Sequence, residues 1–133
     1  MGLVFMILSI YMAKVYAFKR TSTLALRKRK AALVRQLRIP SNLLRASFVE
    51  RYARCGKTNC RCAQGRKHGP FYYLTRCLGV GLIQKVLLKT EQQQQDARQG
   101  IQAYERLQTL LEELYQINSE LLRRAEPLYD PQR

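Results

Sequence analysis

Acidic side chains are almost absent from the first two-thirds of this 133-residue chain: residues 1–90 hold Glu50 and no other carboxylate, against nineteen Lys and Arg. That scarcity argues against an enzyme, because general acid–base chemistry needs positioned carboxylates and a catalytic metal needs a base beside it. The carboxylates that do come in pairs, such as Glu112 and Glu113, fall in the C-terminal third and read as solvent-facing charges. Histidine is nearly lacking too, with His68 alone. No charged segment precedes the apolar N-terminus, so an ordinary secretory signal is missing, and with it the oxidising setting in which four cysteines would pair as disulfides. Long hydrophobic runs are also short supply. Residues 1–18 are apolar apart from Ser9 and Lys14, a marginal length against the roughly 20 residues that cross a bilayer.

What is present is positive charge. The net charge is +15, divided into +18 over residues 1–90 and −3 over residues 91–133. A body so basic repels itself and attracts polyanions, either nucleic acid or an anionic membrane surface. The membrane reading requires that residues 1–18 be translated and retained as an anchor; in the alternative, residues 1–20 are an extension ahead of the true start, with Met6 and Met12 as candidate starts. Either way the basic domain lies in the cytoplasm, free or held at the inner membrane. Residues 21–126 read as one small domain and 127–133 as a mobile tail.

The chemistry concentrates in Cys55-Gly-Lys-Thr-Asn-Cys60-Arg-Cys62, followed by His68-Gly69-Pro70 and the run Phe71-Tyr72-Tyr73-Leu74. Three thiols and the one imidazole lie within fourteen residues, with Gly56 and Gly65 free to turn the backbone so that Cys55, Cys60, Cys62 and His68 face one point. Cys₃His is an ordinary structural set for Zn²⁺, and the interleaved Lys57, Arg61, Arg66 and Lys67 favour the thiolates that bind it. The spacing differs from paired CxxC knuckles. Cys77 is a competing fourth donor, and four reduced, partly buried cysteines with His68 in a plain turn are the alternative. A single activated thiol nucleophile fits three neighbouring cysteines less well than a ligand set does.

The pattern predicts an α+β fold. A basic helix spans Thr21–Arg38, capped at Thr21, Ser22 or Thr23, with Leu26, Leu33 and Leu37 on one face and Ile39-Pro40 as its stop. Three antiparallel strands follow at Ser47–Arg54, Phe71–Cys77 and Val80–Leu88, with the Cys/His knuckle between the first two. A long amphipathic helix covers Thr90–Ala125. Its seam of Ala103, Leu107, Leu110, Leu114, Ile117 and Leu121 recurs at three- and four-residue steps, as in a coiled coil. The fold expected has this helix packing on the N-terminal helix, with a homodimer or a partner helix through residues 103–121 as the alternative cover for the seam. Tyr104, Leu111, Tyr115 and Leu122 widen the stripe and suggest more than one neighbour, and Gly100 is a weak point.

From Val49-Glu-Arg-Tyr-Ala-Arg-Cys-Gly-Lys-Thr-Asn-Cys-Arg-Cys-Ala-Gln-Gly65, through His68-Gly-Pro-Phe-Tyr-Tyr-Leu74, to the Leu/Glu-rich helix, the chain resembles an uncharacterised family of small bacterial proteins. Its motif has the form CGK-x-x-CRC-x-x-G…HGPYYYL, and members often lie in or near mobile genetic elements. The resemblance covers residues 47–124. It implies a bacterial cytoplasmic setting and a link to DNA transactions. Leu78-Gly-Val-Gly-Leu-Ile83 is more apolar than the pattern, and Cys77 is additional to it.

Together these readings predict an accessory protein that binds nucleic acid, DNA in preference to RNA, through a zinc-closed knuckle. The phosphate-facing candidates are Arg27, Lys28, Arg29, Lys30, Arg51, Arg54, Lys57, Arg61, Arg66, Lys67 and Arg76, with one aromatic, Tyr72 or else Tyr73, stacking on a base. Such contacts position a protein without reading sequence. The competing class is an adaptor that works through its long helix.

Overall fold

The computed structural model describes residues 17–129. The apolar segment of residues 1–16, on which the anchor and alternative-start readings rest, lies outside the described residues, as do residues 130–133 of the expected tail. Element order is α1 (Thr23–Gln36), β1 (Ser47–Ala53), a 3₁₀ turn (Arg61–Gln64), β2 (His68–Gly79), β3 (Leu82–Leu88) and α2 (Glu91–Arg123). The strands form one antiparallel sheet in the order β1-β2-β3. The fold is α+β, as the sequence predicts. Among the described residues no helix is long and apolar enough to cross a membrane.

The chain divides into two compact units, one formed by α1 with α2 from Leu107 onward, the other by Ile39–Arg106. In the helical unit, the Ser22 hydroxyl caps α1 by accepting from the Ala25 N–H. The helix ends at Gln36, two residues before the expected end, because Leu37 is already extended at ψ 100° on the approach to Pro40. Leu26 and Leu33 point inward and meet Ile117 and Leu121; all four are fully buried, with Phe18, Leu110, Leu114 and Leu128 packed around them. The lower part of the α2 seam is thus covered by the chain's own N-terminal helix. Of the residues that widen the stripe, Leu111, Tyr115 and Leu122 are exposed and Tyr104 is half-buried. Glu120 is buried and takes Arg123 and Arg124. Arg124 continues to the Phe18 and Lys19 carbonyls and the Thr23 hydroxyl. A Schellman-type end closes α2, with Glu126 N–H bonded to Leu121 O and Ala125 at φ 58°.

In the sheet unit, α2 opens with a capping box: Thr90 Oγ1 accepts from Gln93 N–H, and Gln93 Oε1 accepts from the Lys89 and Thr90 N–H groups. Gly100 is buried rather than weak. A Cβ there would lie 2.5 Å from the Asn42 carbonyl and 2.7 Å from Leu44, whose N–H donates to Gly100 O. The missing side chain lets residues 42–44 lie directly on the helix. β2 is longer than predicted, starting at His68, because the ladder continues past a bulge to pair Ala53 with His68. β3 starts at Leu82 and not Val80, since Val80 and Gly81 form the hairpin turn between the paired Gly79 and Leu82.

Candidate metal centre

The connection between β1 and β2 is built to converge. Cys55 follows β1 directly. Gly56 and Gly65, at φ +75° and +122°, occupy backbone regions that side chains disfavour. Between them the Cys60 N–H bonds to Lys57 O, and the 3₁₀ turn of Arg61–Gln64 swings Cys62 inward until it is 1% exposed. His68 arrives from the first position of β2. At Gly69 there is no room for a side chain: a Cβ would meet the Tyr52 ring at 2.7 Å and the Arg51 carbonyl at 3.0 Å. The strand after the histidine is thereby pressed onto β1.

The ligand atoms of Cys55, Cys60, Cys62 and His68 all lie within 4.8 Å of one another. Cys55 Sγ is 3.3 Å from Cys62 Sγ, and Cys60 Sγ is 3.1 Å from His68 Nε2. A tetrahedral zinc with ordinary bond lengths would separate its donors by about 3.5–3.8 Å. The donors therefore fit a metal ion in number, chemistry and spacing. The Cys55 N–H also donates to Cys62 Sγ at 3.4 Å, a backbone bond that steadies that sulfur. Cys55 is pushed below the usual thiol range, first by the Lys57 N–H donating to its sulfur and then by Cys62. Cys62 moves the other way: the Cys55 N–H favours its thiolate, but burial and the neighbouring sulfurs of Cys55 and Cys60 outweigh that bond. One sulfur is thus biased toward the anionic form that takes a cation.

Cys77 does not compete. It is exposed on the distal part of β2, its thiol 3.3 Å from the Gly79 carbonyl, and His68 rather than Cys77 completes the cluster. All four cysteines are free of disulfides.

The chain is a member of the family described as a domain of unknown function, DUF6788. The family's profile matches residues 23–93, spanning α1, the sheet, the cluster and the first residues of α2. The resemblance to an uncharacterised family is therefore shown, with a different extent from the one read in the sequence: α1 is included and most of the leucine-rich α2 is not. No curated protein and no solved structure matches the chain.

The candidate phosphate contacts separate into three sets. On α1, Arg27 faces Glu126 at 3.0 Å and Arg29 holds Glu113 through two bonds of 2.6 and 2.9 Å, while Lys30 donates to the Leu128 carbonyl. Arg29 ties α1 to α2, Arg27 and Lys30 tie it to the segment that follows α2, and Lys28 stays exposed. Arg51, Arg54, Lys57, Arg61, Arg66 and Lys67 are all exposed, at the end of β1 and along the connection that carries the cluster. Arg76 is exposed near the opposite end of β2, paired with Gln84. Tyr72 is half-buried with its ring 5.5 Å from Phe48, which in turn lies under Arg98 at 4.2 Å. It belongs to the packed side of the sheet. Strand alternation was the signal that could have separated Tyr72 from its neighbours Phe71 and Tyr73.

Proposed function

We propose that this chain is a nucleic-acid-binding accessory module whose β1–β2 connection is closed by a structural zinc ion. The observation that supports it most is the convergence of three thiols and an imidazole at a connection that presents five exposed cations, with Arg51 a sixth at the end of β1. No Asp or Glu occurs between residues 51 and 90 to neutralise them. Cys55, Cys60, Cys62 and His68 would hold the ion. Four protein donors leave no open coordination position, and no carboxylate belongs to the cluster, so the ion would organise the loop and not activate a water. Its chemistry there is to fix the backbone so that Arg51, Arg54, Lys57, Arg61, Arg66 and Lys67 meet phosphates as one surface. The resemblance adds a setting, a cytoplasmic accessory protein of a bacterial mobile genetic element acting beside an enzyme encoded elsewhere.

Two measurements test this. Protein purified without added zinc is expected to carry one equivalent by elemental analysis. Fluorescence anisotropy with labelled DNA should show affinity falling by orders of magnitude between low and moderate salt, because several phosphates release counterions on binding. Metal-free protein, or DNA affinity that ignores salt, refutes the respective half.

A further inference from the structure

The two faces of the sheet differ in what covers them. Register places Phe48, Glu50, Tyr72, Leu74, Val86 and Leu88 on one face. That face carries the Phe48–Tyr72 contact and Arg98 from α2, Leu88 is buried in it, and Leu43–Ala46 line a cleft of about 250 Å³ against Leu74, Arg76 and Val86. The opposite face is accessible toward its two ends, where Arg51, Phe71 and Ile83 are exposed, and half-buried along its centre at Val49, Tyr73 and Thr75. Across it Arg51 pairs with Phe71, Tyr73 sits between Val49 and Leu87, Thr75 lies beside Lys85, and Cys77 lies beside Ile83. Phe71, Leu87 and Ile83 are 37%, 39% and 62% exposed. No carboxylate stands among these residues, while Arg51 and Lys85 do.

We propose that this face receives the unpaired bases of a single-stranded nucleic acid, with the Cys/His connection holding its phosphates. The proposal rests on the nucleic-acid reading above and goes further, naming the strand state and the residues that recognise it. Three observations support it. First, an aromatic ring presents a flat apolar face to any base, and stacking of this kind needs bases whose own faces are free, which a duplex denies. Second, Phe71 and Tyr73 are two residues apart on one strand, which separates them by about 6.6 Å, whereas stacked duplex bases repeat at about 3.4 Å. Bases resting on both must be unstacked from each other. Third, the charge lies where a backbone would run. The β1–β2 connection leaves the sheet at the end nearest Arg51 and Phe71, so its cations border the aromatic pair, and Lys85 lies farther along the face.

The chain has no tryptophan, so Tyr73→Trp installs a single reporter in the proposed platform. Full-length, zinc-loaded protein carrying this change would be titrated with single-stranded oligothymidine, and separately with the duplex it forms with oligoadenine. The expected result is tryptophan quenching by the single strand and little by the duplex at equal phosphate. Phe71→Leu should weaken single-strand binding by about tenfold, and Val86→Leu, on the other face of the sheet beside Leu74, should not. The quenching readout keeps the test decisive even where Phe71→Leu fails to fold. Equal affinity for both forms without quenching overturns the platform and leaves the nucleic-acid reading standing. Failure to bind either form at low salt overturns both. A blue shift on phosphatidylglycerol vesicles without quenching by oligothymidine assigns the face to a membrane and overturns the proposal. So does a concentration-dependent dimer that Tyr73→Arg abolishes.

Discussion

The helical unit and the sheet unit solve the same problem with different means. The first closes on Leu26, Leu33, Ile117 and Leu121, all fully buried, and ties its surface together with Arg27–Glu126, Arg29–Glu113 and the Glu120 cluster. The second buries Leu88, Ala97 and Gly100 around the start of α2, and Cys62 in the loop. Its long β1–β2 connection is rich in cations and poor in apolar side chains, so hydrophobic burial cannot hold it. A group of metal donors occupies the place a core would have. The difference shows two ways for one small chain to carry a strongly basic surface: apolar packing where acids are available to balance the charge, and a cluster of side chains able to hold a metal ion where they are not.

The comparison breaks most sharply on metal removal. Chelation, or Cys60→Ser, is expected to unfold the sheet unit's connection and first strand pairing while the helical unit keeps its slow-exchanging amides. Structural zinc in small modules is coupled to folding by an apparent energy on the order of 10 kcal/mol, similar to the whole stability of a domain. Hydrogen exchange read by mass spectrometry separates the two units. Unchanged protection in residues 47–76 after removal would show that the sheet stands without coordination.

The converse change acts on the helical unit. Leu121→Ala deletes most of a fully buried side chain from a small cluster and should cost about 2–5 kcal/mol, seen as a lowered denaturation midpoint for the helical signal. Metal stoichiometry should stay at the parent value, because the ligands lie in the other unit. A loss of metal in this variant would mean that the two units fold as one.

Much of this was legible in the sequence, for physical reasons that differ by element. The convergence of Cys55, Cys60, Cys62 and His68 could be read because three thiols and one imidazole within fourteen residues, flanked by turning glycines, leave the chain few ways to keep them apart. The α2 seam and the inward face of α1 could be read because helical periodicity is long and redundant. Two things could not be read. Gly100 appeared as a helix weakness because its value lies in residues 42–44, distant in sequence, which occupy the space of the missing side chain. Arg27 and Arg29 appeared as phosphate contacts because only the fold brings Glu126 and Glu113 to them. Cations on a helix look alike until their partners are known.

The smallest effect sharpens the comparison from the acid side. Hydrogen bonds from Arg123, and then from Arg124, hold the Glu120 carboxyl down to about 2 against the opposing cost of its burial. A carboxylate depressed in the folded state stabilises that state above its unfolded pKa, and the contribution disappears as pH falls through the folded value. For Glu120 the window runs from 4.5 down to about 2. Thermal melts of the helical signal should therefore be flat in pH above this window and drop within it. Glu120→Gln should remove the part of that drop due to this site, and should lower stability above the window by leaving Arg124, which also holds the Phe18 and Lys19 carbonyls, without its carboxylate. If the variant and parent lose stability in parallel through the window, the Glu120 carboxylate does not contribute to closing the helical unit, which then rests on the Leu26, Leu33, Ile117 and Leu121 contacts and the Arg27–Glu126 and Arg29–Glu113 pairs.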